Sequence, residues 1–417
     1  MNPLPAPQTA EDFFNLGHEC LHAGAFDEAL SHFTQAIRLR PDVAAGYRYR
    51  AYAHSELGKR LAAIADFTEA IRLRPDDVQS LADRAMELFL QKAYEQAIAD
   101  CSQVLELDPG RGAIHGLRGR AWAALGDSER AEADLSIAIV ADPDEAVSHL
   151  HQRGELYAQR EQFDSALADY STALTIDPDQ VSTRIARAAV YCSTGRWELA
   201  LEDLDAAIER RSDAVHAYCL RARVRMDSQD WSGAFADLNI ALELRPGLLA
   251  ALDLRAECWQ RAGQFAQAMG DYSAWLRSQP QSLRAKLGRA NCRQQLGDYA
   301  GAIRDYREVL VDHPHQADAF NGLAWIWATA PDASIRNGAQ AVECATRACE
   351  LTDWQSIPML DTLAAAYAEQ GDWEQANKWL RVILERVTTP AEQAEYSARL
   401  AQVAQQQPVR SMREPRV

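Results

Sequence analysis

Two charged residue types recur in this chain at a spacing that invites a chemical reading. Arginine stands at Arg50, Arg84, Arg118, Arg153, Arg187, Arg221, Arg255 and Arg289. Aspartate stands at Asp66, Asp100, Asp134, Asp169, Asp203, Asp237, Asp271 and Asp305, each 16 residues after its arginine. A guanidinium is a flat fork of donors that suits phosphate or carboxylate, so one reading makes the arginines ligands for an anion. The other pairs each arginine with an aspartate of its own chain. The one-for-one match favours pairing, because a buried charge without a partner is strongly destabilising.

Other reactive groups are thinner. His18 and His22, four apart on one helix, have a spacing that can share a metal, with His32 in the next helix. Cys20 between them lies on the opposite face, and no carboxylate motif joins them. His149 and His151 precede Arg153, and His313 and His315 flank Pro314 in a turn, neither pair with a partner at ligand spacing. Gly-rich phosphate loops, H-E-x-x-H, G-x-S-x-G and paired-cysteine zinc spacing are all missing. Carboxylates that recur at a fixed period suit a scaffold, whereas an active site would need a departure from it. The one sizeable departure, residues 330–337, offers Asp332, Ser334, Arg336 and Asn337 but no base and nucleophile together. No enzyme activity, metal or cofactor is expected, and the segment reads as a loop able to dock a partner.

The elements that must position these groups repeat every 34 residues. In the stretch from Ala44, Tyr47, Arg50, Ala51 and His54 share one helical face, and Ala63, Phe67, Ala70 and Ile71 make the matching face of a second helix. Gly58 closes the first helix and Pro75 ends the second. The proline recurs at Pro41, Pro109, Pro143, Pro178, Pro246, Pro280 and Pro314, with Ser212 filling one vacant place. A small residue marks the second helix at Ala29, Ala63, Ala97, Ala131, Ala166, Ala200, Ala234, Ala268 and Ala302. Turn glycines stand at Gly24, Gly58, Gly126, Gly195, Gly263 and Gly297. A hairpin of this size cannot bury its own apolar face, so stacked neighbours must complete the core. In such hairpins each Asp is level with its own Arg and with that of the next repeat, which predicts an alternating ladder through the stack.

This pattern resembles the tetratricopeptide repeat family, whose signature is a 34-residue helix–turn–helix period with small, aromatic and proline marks. A further small residue of that signature stands at Gly17, Ala51, Ala85, Gly119, Gly154, Ala188, Ala222, Ala256 and Ala290. The resemblance spans residues 10–387 and implies an all-α, right-handed superhelical solenoid of about eleven antiparallel helix pairs with a C-terminal capping helix. It also implies a concave groove, lined by first helices, that takes peptides. The block from Gly322 to Trp373 is similar to a module that ends many large bacterial members, which implies a bacterial source and a structural terminus.

Boundaries follow from the register. Residues 1–9 form a Pro-rich segment expected to be disordered, and nine regular repeats fill 10–316 without a linker, with Ala146 as a single extra residue. Two atypical repeats occupy 317–387, including the inserted loop 330–337. A capping helix falls within 388–407, and a basic, disordered tail within 408–417.

Composition narrows the partners. The formal charge is −17, from 43 basic and 60 acidic residues. That balance argues against nucleic acid, whose binding rests on cations that displace counterions from phosphate. It favours a basic or amphipathic protein partner. No secretion signal or 18-residue apolar span is read, and eight cysteines without C-x-x-C spacing suit a cytoplasmic, reduced protein.

Mapped onto this chain, the implied groove places Phe14, His18, Arg48, Tyr52, Met86, Phe89, Arg120, His151, Glu155, Ile185 and Cys192 on the first helices of repeats one to six. Cys219, Arg223, Met226, Asn291, Asn321 and Trp325 follow in later repeats. Aromatics, Met and Arg are the residues that dominate protein-binding surfaces, and the Lys and Asn pattern of a chaperone-tail clamp is absent. Three classes of work are compatible with the sequence: a protein-binding scaffold, an oligomer-forming assembly subunit, and a nucleic-acid solenoid using Arg48, Arg120 and Arg223. The first is favoured.

Overall fold

Repeat two shows how each hairpin forms. Its first helix, Ala44–Glu56, buries Ala51 and Ala53, and its second, Arg60–Leu73, buries Ala63, Phe67 and Ala70 against them. Gly58 adopts the left-handed conformation, φ +69°, so that its own N–H and that of Lys59 can bond back to Ser55 and His54. The second helix stops one residue short of the proline mark. Arg74, at φ −140° and ψ 90°, is extended because Pro75 disfavours a helical predecessor.

The computed structural model describes residues 8–410. The stretches 1–7 and 411–417, expected from the sequence to be disordered, lie outside the described residues. Among the described residues every regular element is a helix. The left-handed turn place is kept in repeats whose sequence lacks glycine: Lys92, Glu161 and Gln229 stand there at φ 62°, 57° and 61°. The extra residue of repeat five is taken up by a short 3-10 turn, Pro143–Glu145, ahead of the helix Ala146–Gln159.

The chain divides into two compact units between residues 212 and 213, where serine stands in place of the proline mark. In each unit, helices pack on their chain neighbours. First helices of successive repeats also touch one another in several places, for instance Val78–Leu90 with Gly112–Ala124 and Leu249–Arg261 with Val215–Asp227. Second helices meet one another far less, which sets the first helices on the inner side within each unit.

Specific contacts hold both ends of the described chain. Thr9 caps the helix Ala10–His22 in a reciprocal box with Asp12. In the second unit the capping helix runs Pro390–Ala404, its Arg399 meeting the buried Asp361, and Val403 is fully enclosed. Beyond it, Arg410 returns to Glu369 at 2.6 Å, so residues 408–410 pack on their own unit.

Candidate partner-binding face

The Arg and Asp series is consumed by internal bonds. Each arginine grips the aspartate of its own repeat with two parallel bonds: Nε of Arg153 lies 2.8 Å from Oδ2 of Asp169 and Nη2 lies 2.7 Å from Oδ1. The same fork joins Arg50 to Asp66, Arg84 to Asp100, Arg118 to Asp134, Arg187 to Asp203, Arg221 to Asp237, Arg255 to Asp271 and Arg289 to Asp305. All eight aspartates are buried. Hydrogen bonding to the aspartate raises the pKa of Arg50, Arg118, Arg153 and Arg187 and keeps them charged.

The expected alternation along the stack takes a different form. For Arg50, Arg84, Arg118, Arg153, Arg187 and Arg255 a second link reaches back to the preceding repeat, but to a small polar group two residues past the aspartate place. Arg50 donates to Thr34 at 3.3 Å, Arg84 to Thr68 and Arg118 to Ser102 at 3.1 Å, and Arg255 to Asn239 at 2.7 Å. In these repeats a neutral acceptor at that place spares the arginine a second carboxylate. That linker was missed from the sequence, although Thr and Ser recur at the place.

With the ladder occupied, the side chains left to a partner are those of the first helices. In the first unit the ninth place of successive repeats makes a row along the first helices: His18, Tyr52, Met86, Arg120, Glu155 and Ala189. Tyr52 and Met86 are 45% and 40% exposed, unusual for such side chains. Phe14 and His18 close the row at its start by packing edge-on to Tyr49, at 5.4 and 5.2 Å between ring centroids. His22 stands edge-on to His18 at 4.6 Å. Among the described residues no three His, Cys, Asp or Glu side chains converge on a metal site.

Arg48 is tied to Asp77 at 3.4 Å. Phe89 is half-buried against the core of its repeat, with the guanidinium of Arg120 4.5 Å above its ring. Between Gly112–Ala124 and Ala146–Gln159 lies a cleft of about 540 Å³, bordered by Arg120, His151, Gln152 and Glu155. His151 bonds Thr183 of the following repeat at 3.1 Å and faces Glu155 at 3.5 Å. Ile185 and Cys192 are half-buried.

The second unit fits the expected face less well. Met226 is 1% exposed and belongs to the core, a correction to its groove assignment. It joins Ala222 and Val224 on the buried side of the helix Val215–Asp227. Trp325 packs on the core of the C-terminal repeats, and Asn321 is half-buried. Cys219 is half-buried, its thiol pushed up to about 11 by burial. Arg223 and Asn291 are exposed. Burial raises Cys101 and Cys349 to about 12, so these thiols are poor nucleophiles.

The loop 330–337 is anchored rather than free. Arg336 donates to the carbonyls of Ala330 and Pro331 and, through Nε, to Glu369 at 2.9 Å. No described helix is long and apolar enough to cross a membrane.

Family profiles described as tetratricopeptide repeat match residues 14–112, 88–154, 154–225 and 255–334. No curated protein matches the chain. Among solved structures, MamA (residue 41 to its end) from Desulfovibrio magneticus RS-1 is similar at 19% identity and TM-score 0.40, over 42% of this chain and 99% of that one. YrrB, a repeat protein with an unusual peptide-binding site, is similar at 22% identity and TM-score 0.39, over 44% and 95%. Yeast Tom70 is similar at 16% identity and TM-score 0.40, over 95% and 96%.

Proposed function

We infer that this chain, which belongs to the tetratricopeptide repeat family, is a non-catalytic scaffold that holds a protein or peptide on the first helices of its first unit. The observation that carries the reading is the row of Tyr52, Met86 and Arg120 on three successive first helices, the first two exposed and Arg120 half-buried. Large side chains of these types supply most of the energy of protein contacts when a partner covers them. The ladder arginines have their charge matched by buried aspartates, and Arg48 is neutralised by Asp77, so a phosphate backbone would meet few free cations. A cytoplasmic setting accompanies the reading, since thiols at these spacings stay reduced there.

The test is capture of partners by the whole chain and by its Tyr52→Asp, Met86→Asp double variant. Both side chains are exposed, so the variant should keep the wild-type melting curve and lose the partner. Capture at wild-type strength would move the binding surface elsewhere.

A further inference from the structure

We propose that this chain associates with further copies of itself through its second helices, Arg304 and Arg307 of one copy docking antiparallel on Glu202 and Glu198 of the next. The contact goes beyond the scaffold reading and spares the first helices assigned to a partner.

Departures from the repeat point to it. Two places on the second helix, three residues apart, are uncharged in seven of the nine regular repeats: the first holds Ala, Ser or Gly and the second Ser, Thr or Asn. Repeat six carries Glu202 and Asp205 there, and repeat nine carries Arg304 and Arg307. All four are exposed. Each departure changes both places at once, and the two are opposite in sign. Along the same stripe of Trp197–Arg210, Glu198 and Glu209 extend the acidic face. On Tyr299–Asp312 the corresponding residues are Ala300 and Val311, the latter 79% exposed.

Neither face is neutralised by its own chain. Asp305, next to the two arginines, is held by Arg289 and Arg293. Among the described residues no carboxylate lies at ion-pair distance from Arg304 or Arg307, and no cation from Glu198, Glu202 or Glu209. Arg307 lies 5.8 Å over the ring of Trp327. A shallow groove of about 370 Å³ runs along this helix past Ile303, Arg304, Arg307 and Val311, with Glu308 as its one acidic border.

Charge decides the occupant. A chain of net charge −17 repels its own copies, so a contact between them needs opposite signs facing each other. In antiparallel register Glu202 faces Arg304, Glu198 faces Arg307, and Val311 meets Trp197, which is 39% exposed. Parallel register would set Glu209 against Val311. An unrelated acidic helix would satisfy the arginines but leave the acidic stripe of repeat six without a role. Because the two faces differ, the contact is heterologous and builds rings or open chains of copies.

The experiment is sedimentation velocity of the full chain. One helix from each copy makes a small interface, so the average mass should rise about twofold or more between about 1 and 100 µM in dilute salt. It should fall back toward the monomer in about 0.5 M salt, where exposed charges are screened. Arg304→Glu with Arg307→Glu, and Glu198→Arg with Glu202→Arg, should each keep the wild-type melting curve and stay monomeric. Their equimolar mixture should associate again, because each face of one variant then meets its opposite on the other. Arg304→Gln with Arg307→Gln, which adds no repulsion, should also be monomeric.

A wild-type chain that stays monomeric throughout, association that survives either charge reversal or high salt, or a mixture that does not recover would overturn the proposal. A monomeric wild type that binds a blocked helical peptide of glutamate and leucine, and loses it in Arg304→Gln with Arg307→Gln, would overturn it in favour of an acidic partner.

Discussion

Arg293 lays a second guanidinium on Asp305, with Nη1 2.8 Å from the Oδ2 that Arg289 also grips. Comparable reinforcement comes from Arg225 on Asp237 at 2.8 Å and from His115 on Asp134 at 2.9 Å. Among the described residues Asp169 has Arg153 as its one cation. The ladder is therefore uneven in strength even though its sequence is regular. Arg153→Ala, which strands Asp169, should cost about 3–5 kcal/mol. Arg289→Ala should cost less than half as much, because Arg293 stays in place. Chemical denaturation of the two variants checks the order.

The turn place gives a prediction of opposite sign. Lys92 holds φ 62° where other repeats place glycine. A left-handed backbone costs a residue with a Cβ about 1–2 kcal/mol. Lys92→Gly should raise stability by about 1 kcal/mol, and Gly126→Ala, at φ +83°, should lower it by a similar amount in the same assay.

His149 makes stability depend on pH. It is 6% exposed, its ring nitrogens lack hydrogen-bond partners, and burial holds its pKa below 6.5. Asp142 and Glu145 pull it upward and Arg120 pushes it down, but burial dominates. The unfolded chain thus takes up the proton first as pH falls. Stability is full above 6.5 and declines from there toward the folded-state pKa. His149→Leu should flatten that acid-side slope in melting temperature. Part of the slope should remain, since burial also lowers His54.

Glu369 is the shared anchor of Arg336 and Arg410, at 2.9 and 2.6 Å. Glu369→Gln should loosen both the 330–337 loop and the end of the described chain. The amide of Asn337, bonded to Trp327 at 2.9 Å, should exchange about tenfold faster or more. Amides in the first unit should be unaffected.

The helical hairpins could be read from the sequence because their causes are local and periodic. A proline, a turn glycine and two small residues act within one 34-residue window, and the period repeats them until chance is excluded. The pairing of Arg153 with Asp169 could be anticipated for the same reason. What could not be read depends on contacts between windows. Nothing local marks Lys92 as left-handed; only its register with Gly58 and Gly126 does. Met226 has the residue type of a binding surface, yet its neighbours enclose it. The 330–337 insertion looked like a free docking loop because its anchor, Glu369, lies in the next repeat. Arg120 stood out only as one basic residue in a row, and its place over the ring of Phe89 depends on the packing of two repeats.

The backward reach of Arg84 and Arg118 has a genetic corollary. Arg118 finds Ser102 in the hairpin before it, and Arg84 finds Thr68 in the hairpin before that. Excision of residues 78–111 would present Thr68 to Arg118, one hydroxyl exchanged for another, while the grip on Asp134 went untouched. A hairpin can thus be spliced out with this joint re-formed, and such an array can change length across generations without relearning how to fold.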